Sequence, residues 1–393
     1  MLCAATAAER GLDVILLEPN RMMGKKLRIT GKGRCNVTNN CDIKTVMANI
    51  PSGGKFLYSA LNRFPPESVM NLFENLGVPL KTERGNRVFP VSDKSGDIVG
   101  ALQNYMDGTG VRVISRAATG LVVEDGGITG VRTKAGTISC RNAVICTGGL
   151  SYPLTGSTGD GLTFAKQVGH TVTACRPSLV PLESPDGFCG EMQGFSLRNV
   201  TLSAFENDKL IYKELGEMMF THFGVTGPLV LSASAHMRNI GSAEYRLEID
   251  LKPALDEEKL DARILRDFEE QKNKEFKNAL GGLAGRTMIP VLVQLSGIDP
   301  ETKVHSITRQ QRRDLVRLFK HFPVAVSGTR PFPEAIITAG GVALNEVNPR
   351  TMESKLVSGL YFAGEVLDLD AYTGGFNLQI AWSTAYVAGN AVQ

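Results

Sequence analysis

The C-terminal end of this 393-residue chain carries the pattern that most limits how it can fold. An apolar run, 360–363, predicts a buried strand, and Gly364 and Glu365 follow at its exit. A second glycine pair, Gly374 and Gly375, then opens an alanine-rich segment that predicts a long helix. Glycines let a ligand approach the backbone, a helix N-terminus offers unpaired N–H groups, and an acid accepts hydrogen bonds from hydroxyls. This pattern favours a site for a large anionic, hydroxyl-rich cofactor over an ordinary strand–turn–helix.

The N-terminus reads as part of a dinucleotide-binding unit. Residues 2–10 predict a small-residue helix, and 13–18 predict a fully buried strand that ends in Glu18. In a βαβ unit of this kind an acid at that point binds the adenosine ribose, after a Gly-x-Gly-x-x-Gly turn. The first strand and its glycine turn are absent from the sequence, so we expect a natural start roughly 15 residues upstream. The alternative is a helix and a strand that end in Glu by coincidence.

Composition narrows the class of protein. With 42% apolar and 21% charged residues, the chain has the balance of a soluble globular protein of two or three domains. A net charge of +3 does not by itself argue for nucleic acid or membrane, and no apolar run approaches the ~20 residues of a membrane span. The seven cysteines form no C-x-x-C pair, a pattern typical of a reduced, cytoplasmic protein without a metal site.

Two further glycine-rich segments could contact a cofactor. In 23–39, glycines alternate with cations and Asn or Thr, which suits contact with phosphate and a heterocycle; a solvated basic loop is the alternative. The predicted strand 142–147 ends in Gly148 and Gly149, where a cofactor could lie against the backbone. The candidate contacts in 23–39 are Lys25, Lys26, Gly31, Gly33, Arg34, Cys35 and Asn36.

The order of patterns predicts an α/β domain built from both ends of the chain, with two insertions. We assign 1–175 and 338–393 to this domain. The β-rich patterns place 176–252 and 323–337 in one inserted domain, and helical periodicity places 253–322 in a second.

Several long motifs, in the same order, resemble the BaiN/YhiN-type flavoproteins of the two-dinucleotide-binding superfamily. The motifs cover nearly the whole chain and comprise Gly24–Leu27, Thr30–Asn39, Thr155–Gly161, Phe220–Pro228, Ala339–Val342, Thr351–Lys355 and Leu360–Asp368. This resemblance implies a Rossmann-like FAD-binding domain, an inserted β-barrel-like domain and a small helical domain. It also implies an NAD(P)/FAD-dependent oxidoreductase. The chain departs from the family in its missing first strand and glycine turn, in Lys32 where many relatives carry glycine, and in Phe376 where tyrosine is frequent.

The resemblance assigns roles to the candidate residues. Glu18 would bind the adenosine ribose, and 24–36 would approach the pyrophosphate and isoalloxazine. Gly364 and Glu365 would reach the ribityl–pyrophosphate region. A helix N-terminus at the flavin pyrimidine edge would stabilise negative charge on the reduced ring. The remaining predicted contacts are Thr147, Gly148 and Gly149 near the adenine, and Gly374, Gly375, Phe376, Asn377 and Leu378 at the pyrimidine edge.

We therefore expect hydride transfer between flavin N5 and a small organic substrate. Dehydro-steroid or enone reduction and amine oxidation are the family precedents, and NAD(P)H could serve as a transient donor. Cys35, His222 and Tyr372 are candidate catalytic groups, each with a structural role as the alternative.

Two other functions stay open. The predicted helix within 303–321 is rich in Lys and Arg and could bind RNA, although a solvated helix face is the favoured interpretation. An inactive remnant without cofactor is the other alternative.

Overall fold

The computed structural model describes all 393 residues. The helices are α1 Leu2–Glu9, α2 Lys25–Ile29, α3 Ile43–Ala48, α4 Tyr58–Arg63, α5 Pro66–Asn75, α6 Ser95–Thr109, α7 Asp160–Gln167, α8 Phe188–Glu191, α9 Pro228–Ser234, α10 Glu257–Glu270, α11 Phe276–Ala279, α12 Ile289–Ser296, α13 Arg309–Lys320 and α14 Phe376–Ala391. The strands are β1 Ile15–Leu17, β2 Thr38–Asn39, β3 Leu80–Glu83, β4 Arg87–Pro90, β5 Arg112–Ile114, β6 Ala118–Glu124, β7 Gly127–Thr133, β8 Gly136–Ser139, β9 Ala143–Ile145, β10 Val172–Ser178, β11 Leu182–Glu183, β12 Ser196–Glu206, β13 Lys209–Thr221, β14 Gly224–Thr226, β15 Tyr245–Asp250, β16 Phe322–Val326, β17 Gly328–Thr329, β18 Ile337–Val342 and β19 Leu360–Phe362.

The chain divides into two compact units. The first joins both ends of the chain, Met1–Ser178 and Pro331–Gln393, and the second is Leu179–Arg330. The mixed α/β character predicted from the sequence is confirmed, and the bounds of three separate domains stay a prediction. None of the helices combines the length and apolar character that a membrane crossing requires.

In the first unit the parallel strands form two pairs. β1 pairs with β5, with Ile15 opposite Arg112, and β9 pairs with β19, with Ala143 opposite Leu360. β19 is buried along its length, whereas β1 is only half-buried and not fully buried as its apolar sequence predicted, because β5 alone pairs with it. Antiparallel strands complete the unit, in the groups β10–β18, β2–β4–β3 and β6–β7–β8.

The C-terminal helix α14 lies at the centre of this unit. α1 packs along it, and so does α4. Its apolar residues Phe376, Ile380 and Val387 join one core with strand β19 and the end of β18. Gly389 of α14 makes this close approach possible, because a Cβ at this position would stand only 2.7 Å from the Cys3 carbonyl oxygen of α1.

The second unit is an open antiparallel sheet covered by helices. Its strand order is β16-β15-β12-β13-β14-β11-β17. In β15 burial alternates, so Tyr245, Leu247 and Ile249 face the core. That core also receives apolar side chains of α10 and α13, as the period of 3.6 residues in their sequences predicts.

A substitution at Gly375, which precedes α14, tests how closely the N-terminal segment packs on this helix. Its φ is +99°, and a Cβ there would overlap the carbonyl group of Thr38. We expect Gly375→Ala to lower the free energy of unfolding by about 2–5 kcal/mol, from the left-handed backbone and the overlap together. Urea denaturation measures this.

Gly169→Ala is the matched control, because Gly169 has φ +91° with no atom within 4 Å of an added Cβ. It should cost only the backbone part, about 1–2 kcal/mol. Equal losses in the two variants would contradict the close packing of Thr38 on Gly375.

Candidate functional site

An ion pair joins the two ends of the chain within the first unit. The ammonium group of Lys26 contacts the Oε2 atom of Glu365, 339 residues away in sequence, and also donates to the Ser151 hydroxyl at 2.6 Å. The Oε1 atom of Glu365 accepts from the Ser151 hydroxyl at 2.7 Å and from the Thr338 N–H at 2.9 Å. Four segments of the chain therefore meet at one partly buried carboxylate.

This network gives Glu365 a supporting role in addition to the cofactor contact predicted for it, since both its oxygens have protein partners. Gly149, at the exit of β9, packs against the same network, because an added Cβ would overlap the Thr338 hydroxyl and stand 3.0 Å from Oε1 of Glu365. The turns that follow β9 and β19 are thus held side by side, with Gly364 and Gly149 at their tips.

The N-terminal segment is also fixed directly to α14. The Thr38 hydroxyl donates to Oε1 of Gln379 at 2.5 Å, and the Asn39 amide donates to the Gly374 carbonyl at 3.0 Å. Trp382 donates its indole N–H to the Val37 carbonyl at 2.9 Å. These buried bonds bring 37–39 to the start of α14, so the two glycine-rich segments singled out in the sequence are neighbours in the fold.

The N-terminus of α14 is open to an anion. Gly375 is its N-cap residue and no side chain caps it, so the first N–H groups lack an intrahelical partner. Asn377 does not supply a cap; its amide binds both the N–H and the carbonyl of Ala371, which closes the loop before the helix. Phe376 is buried and Leu378 half-buried. The arrangement can stabilise negative charge on a bound group.

The loop before β2 contains a buried polar atom without a partner in the protein, the side-chain oxygen of Asn36. The Oδ1 atom of Asn36 is buried and has no hydrogen-bond partner within the protein, so it can accept a hydrogen bond from a bound group. A Cβ at Gly31 would stand 3.0 Å from the Asn36 N–H, so backbone crowds this side, whereas Gly33 faces open space. The residues present fit an extended polar cofactor here.

Cys35 is fully buried in the same loop. Burial raises the pKa of its thiol to about 12, so a thiolate nucleophile is disfavoured at neutral pH. The structure supports the packing role for Cys35 and not the catalytic one that its cationic neighbours suggested.

Glu18 lies in a groove of about 650 Å³ that falls in the size range of small-molecule sites. The groove is lined by Glu18, Asn20, Arg21, Met22, Met23, Lys25, Gln103, Val113 and Ser115. The Asn20 backbone and side-chain N–H groups both donate to Oε1 of Glu18 at 2.8 Å, and the side chain also reaches the Thr155 carbonyl at 3.2 Å. The acid and the cation Lys25 thus line one groove, and their contacts with a cofactor stay a prediction.

Arg34 is directed elsewhere. Its guanidinium lies over the Phe89 ring, 4.1 Å from the centroid, and forms ion pairs with Glu83 and Asp93. The guanidinium holds the pKa of Glu83 below its usual value. Arg34 is therefore engaged within the protein, and its predicted contact with the cofactor would have to compete with two carboxylates.

The remaining candidates are divided between the two units. Thr147 and Gly148 follow β9 and touch the turn before α7, since a Cβ at Gly148 would stand 2.7 Å from the Ser157 hydroxyl. The backbone N–H of Tyr372 donates to the Asn49 carbonyl at 3.0 Å, two residues before Gly374. His222 is exposed in the second unit, between β13 and β14, where its ring packs edge-on against Phe223.

Ser151, Thr338 and Asn20 were not singled out in the sequence. Each stands next to a motif that was: Ser151 follows Gly149 by two residues, and Asn20 follows Glu18 by two. A polar residue just beyond a strand exit is the signal that could have identified Ser151 and Asn20, whereas Thr338 lies within β18, directly before the Ala339–Val342 motif.

The Lys26–Glu365 pair can be measured by a double-mutant cycle. Their side chains are 24% and 11% exposed, so removing one leaves a partly buried charge without its partner. We expect Lys26→Met and Glu365→Gln each to cost about 1–3 kcal/mol of unfolding free energy. In the double variant the losses should be less than additive by about 0.5–3 kcal/mol.

Lys25→Met is the control for this cycle, because the neighbouring Lys25 forms no ion pair and its loss should stay within about 0.5 kcal/mol. Additive losses for Lys26 and Glu365 would contradict the pairing.

Cys35 offers a test of thiol reactivity. Because its thiol is buried and has a high pKa, we expect iodoacetamide at neutral pH to leave Cys35 unmodified in the folded protein and to label it after denaturation. Mass spectrometry of tryptic peptides measures both. Rapid labelling of Cys35 in the folded protein would contradict the packing role and restore the catalytic one.

The chain is similar to known proteins over nearly its whole length. The profile of the family described as HI0933-like protein Rossmann domain matches residues 1–391. The chain is 31% identical to the ribosomal RNA dihydrouridine synthase of Haemophilus influenzae, over 98% of this chain and 94% of that protein. It is 30% identical to the protein of the same name from Escherichia coli, over 98% and 93%.

A further relative carries a different name. The chain is 29% identical to the 3-dehydro-bile acid delta(4,6)-reductase of Clostridium scindens, over 99% of this chain and 94% of that protein. The similarity to all three relatives runs through both glycine-rich ends and the inserted unit, and the resemblance noted from the motifs is confirmed. The chain belongs to the HI0933-like family, the BaiN/YhiN-type flavoproteins, and is an FAD-dependent oxidoreductase.

Proposed function

We propose that the protein reduces a carbon–carbon double bond conjugated to a ring carbonyl. The observation that carries this proposal is the chemistry common to the names of its full-length relatives. A delta(4,6)-reductase of a 3-dehydro bile acid saturates double bonds conjugated to a ketone. A dihydrouridine synthase saturates the C5–C6 bond of uracil, which is conjugated to the C4 carbonyl. The substrates differ greatly in size, but the reacting group is the same.

The residues of the first unit fit FAD. The Glu18 carboxylate suits a ribose hydroxyl pair, and Lys25 and Arg21 in the same groove suit phosphate. The unpartnered Oδ1 of Asn36 can accept a hydrogen bond from a ring N–H, and the open N-terminus of α14 can stabilise charge on a reduced ring. When bound, reduced FAD supplies the hydride, and NAD(P)H is the donor that we propose restores it.

The protein must also deliver a proton to the α-carbon of the substrate. Of the three candidate acids, Cys35 is buried and His222 belongs to the second unit. Tyr372 is half-buried and lies two residues before the glycine pair that starts α14, with its backbone tied to Asn49. We propose that its phenol donates this proton. General-acid catalysis by a positioned side chain typically raises the rate about 10²–10⁴-fold.

Single-turnover spectroscopy tests the reaction. The FAD-loaded protein is reduced under anaerobic conditions and mixed with a cyclic enone, such as a 3-oxo-Δ4 steroid, or with the saturated ketone as control. We expect the visible flavin absorption to return with the enone only, with one saturated product per flavin. Tyr372→Phe should slow this return about 10²–10⁴-fold at unchanged FAD binding.

Bleaching of the oxidised flavin by an amine, with an imine or the carbonyl compound from its hydrolysis as the product, and no return of the absorption with any unsaturated carbonyl would contradict the proposal and favour amine oxidation. Bleaching by NADH or NADPH in the same apparatus tests the donor.

A further inference from the structure

We infer that the tip of the β3–β4 hairpin binds the phosphate groups of the reduced nicotinamide dinucleotide through Arg84 and Arg87. The inference rests on the proposed function, because it locates the donor that the proposed reaction requires. The donor's dihydronicotinamide ring gives a hydride to oxidised FAD, and one proton is taken up from water. The products of this step are the oxidised dinucleotide and FADH2.

The loop of this hairpin, residues 84–86, is held in place by the strand beside it. The side-chain amide of Asn39 donates to the Gly85 carbonyl at 3.0 Å, and the Asn40 N–H donates to the Asn86 carbonyl at 2.7 Å. Gly85 and Asn86 have φ values of +75° and +57°, which are typical of a tight hairpin turn. A loop that is already ordered loses little conformational freedom when it binds a ligand.

Arg84 and Arg87 stand at the two ends of this loop, and both are exposed. The Nε atom of Arg87 donates to the Arg84 carbonyl at 3.0 Å, and its guanidinium lies 5.7 Å from the centroid of the Phe89 ring. These contacts orient the cation without neutralising it. Guanidinium groups bind phosphate oxygens through paired N–H donors, so the tip offers two phosphate-binding groups close together.

The acids in this part of the chain already have cationic partners. Glu83 and Asp93 both pair with Arg34, and Lys81 faces the same two acids. Neither arginine of the tip takes part in an ion pair of the structure. The tip therefore keeps two positive charges that an anionic ligand can neutralise.

The basic segment 303–321 has the opposite character. Its charge density made it prominent in the sequence, but ion pairs neutralise most of it in the fold. Four of its six Lys and Arg side chains face carboxylates, namely Lys303, Arg312, Arg317 and Lys320.

The tip adjoins both chain segments that are predicted to hold the flavin ring. The Asn39 amide nitrogen that binds the Gly85 carbonyl also donates to the Gly374 carbonyl, at 3.0 Å in each case. On the other side of the hairpin, a Cβ at Gly31 would stand 3.3 Å from the Phe89 ring. A dinucleotide whose phosphates lie at the tip therefore starts beside the predicted flavin site.

The charge of the reactants selects the ligand. A cyclic enone such as a 3-oxo-Δ4 steroid is neutral and would leave both arginines unused, whereas a nicotinamide dinucleotide carries a pyrophosphate and, in NADPH, a further 2′-phosphate. The pyrophosphate of FAD is the competing anion, and the sequence predicts its contacts within 24–36. The experiments below separate these three ligands.

Isothermal titration calorimetry with NADP⁺ and NAD⁺ on the full chain loaded with FAD tests the inference without turnover. The tip variant is R84Q/R87Q, and the matched control R132Q/K134Q removes exposed cations from the β7–β8 hairpin of the same unit. We expect the tip variant to bind NADP⁺ at least about tenfold more weakly and with less dependence on salt. The control should bind it within twofold of the unaltered protein.

NAD⁺ identifies the phosphate that the tip holds. Weaker binding of both dinucleotides by the tip variant assigns the pyrophosphate to the tip, and weaker binding of NADP⁺ alone assigns the 2′-phosphate. Either result supports the inference.

Stopped-flow spectroscopy then separates the donor from the other two ligands. The tip variant should need about tenfold more NADPH for half-maximal bleaching of the flavin, at an unchanged limiting rate. Its affinity for FAD and the return of the absorption with a neutral enone should not change. Circular dichroism melting confirms that each variant is folded.

Three results would overturn the inference: no binding of either dinucleotide by the unaltered protein, equal weakening by the tip and control variants, or a tip variant that loses FAD affinity and binds the dinucleotides normally. Reduction of a cyclic enone by the chemically reduced protein would leave the proposed function standing in each case. Conversely, dinucleotide binding through the tip without any turnover of an unsaturated carbonyl would overturn the reaction and not the site.

Discussion

The first unit depends on the attraction between Lys26 and Glu365, which joins its N-terminal and C-terminal segments. Around this pair, Ser151 and Thr338 supply the hydrogen bonds that a partly buried carboxylate requires. Because the four groups come from four segments, the pair fixes the turn after β9, the turn after β19 and the helix α2 with respect to one another. Gly149, in the turn after β9, has no side chain and so leaves space for the Thr338 hydroxyl and for Glu365 within the network.

The position of α14 follows from a second set of constraints. Thr38 leaves no space for a side chain at Gly375. Trp382 donates to the carbonyl of Val37 in the N-terminal segment, and Gln379 donates to the carbonyl of Phe64. The helix is thereby held with its uncapped N-terminus beside the loop that contains Asn36. The uncapped helix end can stabilise negative charge on a flavin ring, and the unpartnered amide oxygen can accept a hydrogen bond from it. The packing that positions α14 therefore also positions groups that can bind the cofactor.

The secondary-structure elements that depend on local sequence patterns could be predicted from the sequence. The small-residue helix α1, the apolar strand β19 and the glycine-led α14 all follow from short patterns that burial and backbone freedom impose. The pairing of side chains could not be predicted. The sequence predicts a cofactor contact for Arg34, but the fold brings its guanidinium to Glu83, 49 residues later in the chain. Lys26 and Lys25 are equivalent in sequence, and only the fold directs one to Glu365 and the other to the groove.

Hydrogen exchange with and without FAD tests most directly whether both ends of the chain form one flavin site. If they do, one equivalent of FAD should slow exchange together in 24–39 and in 364–378, with the peptide around Glu18 protected in the same titration. Protection of only one of these segments, or saturation of the segments at different FAD concentrations, would contradict the single site.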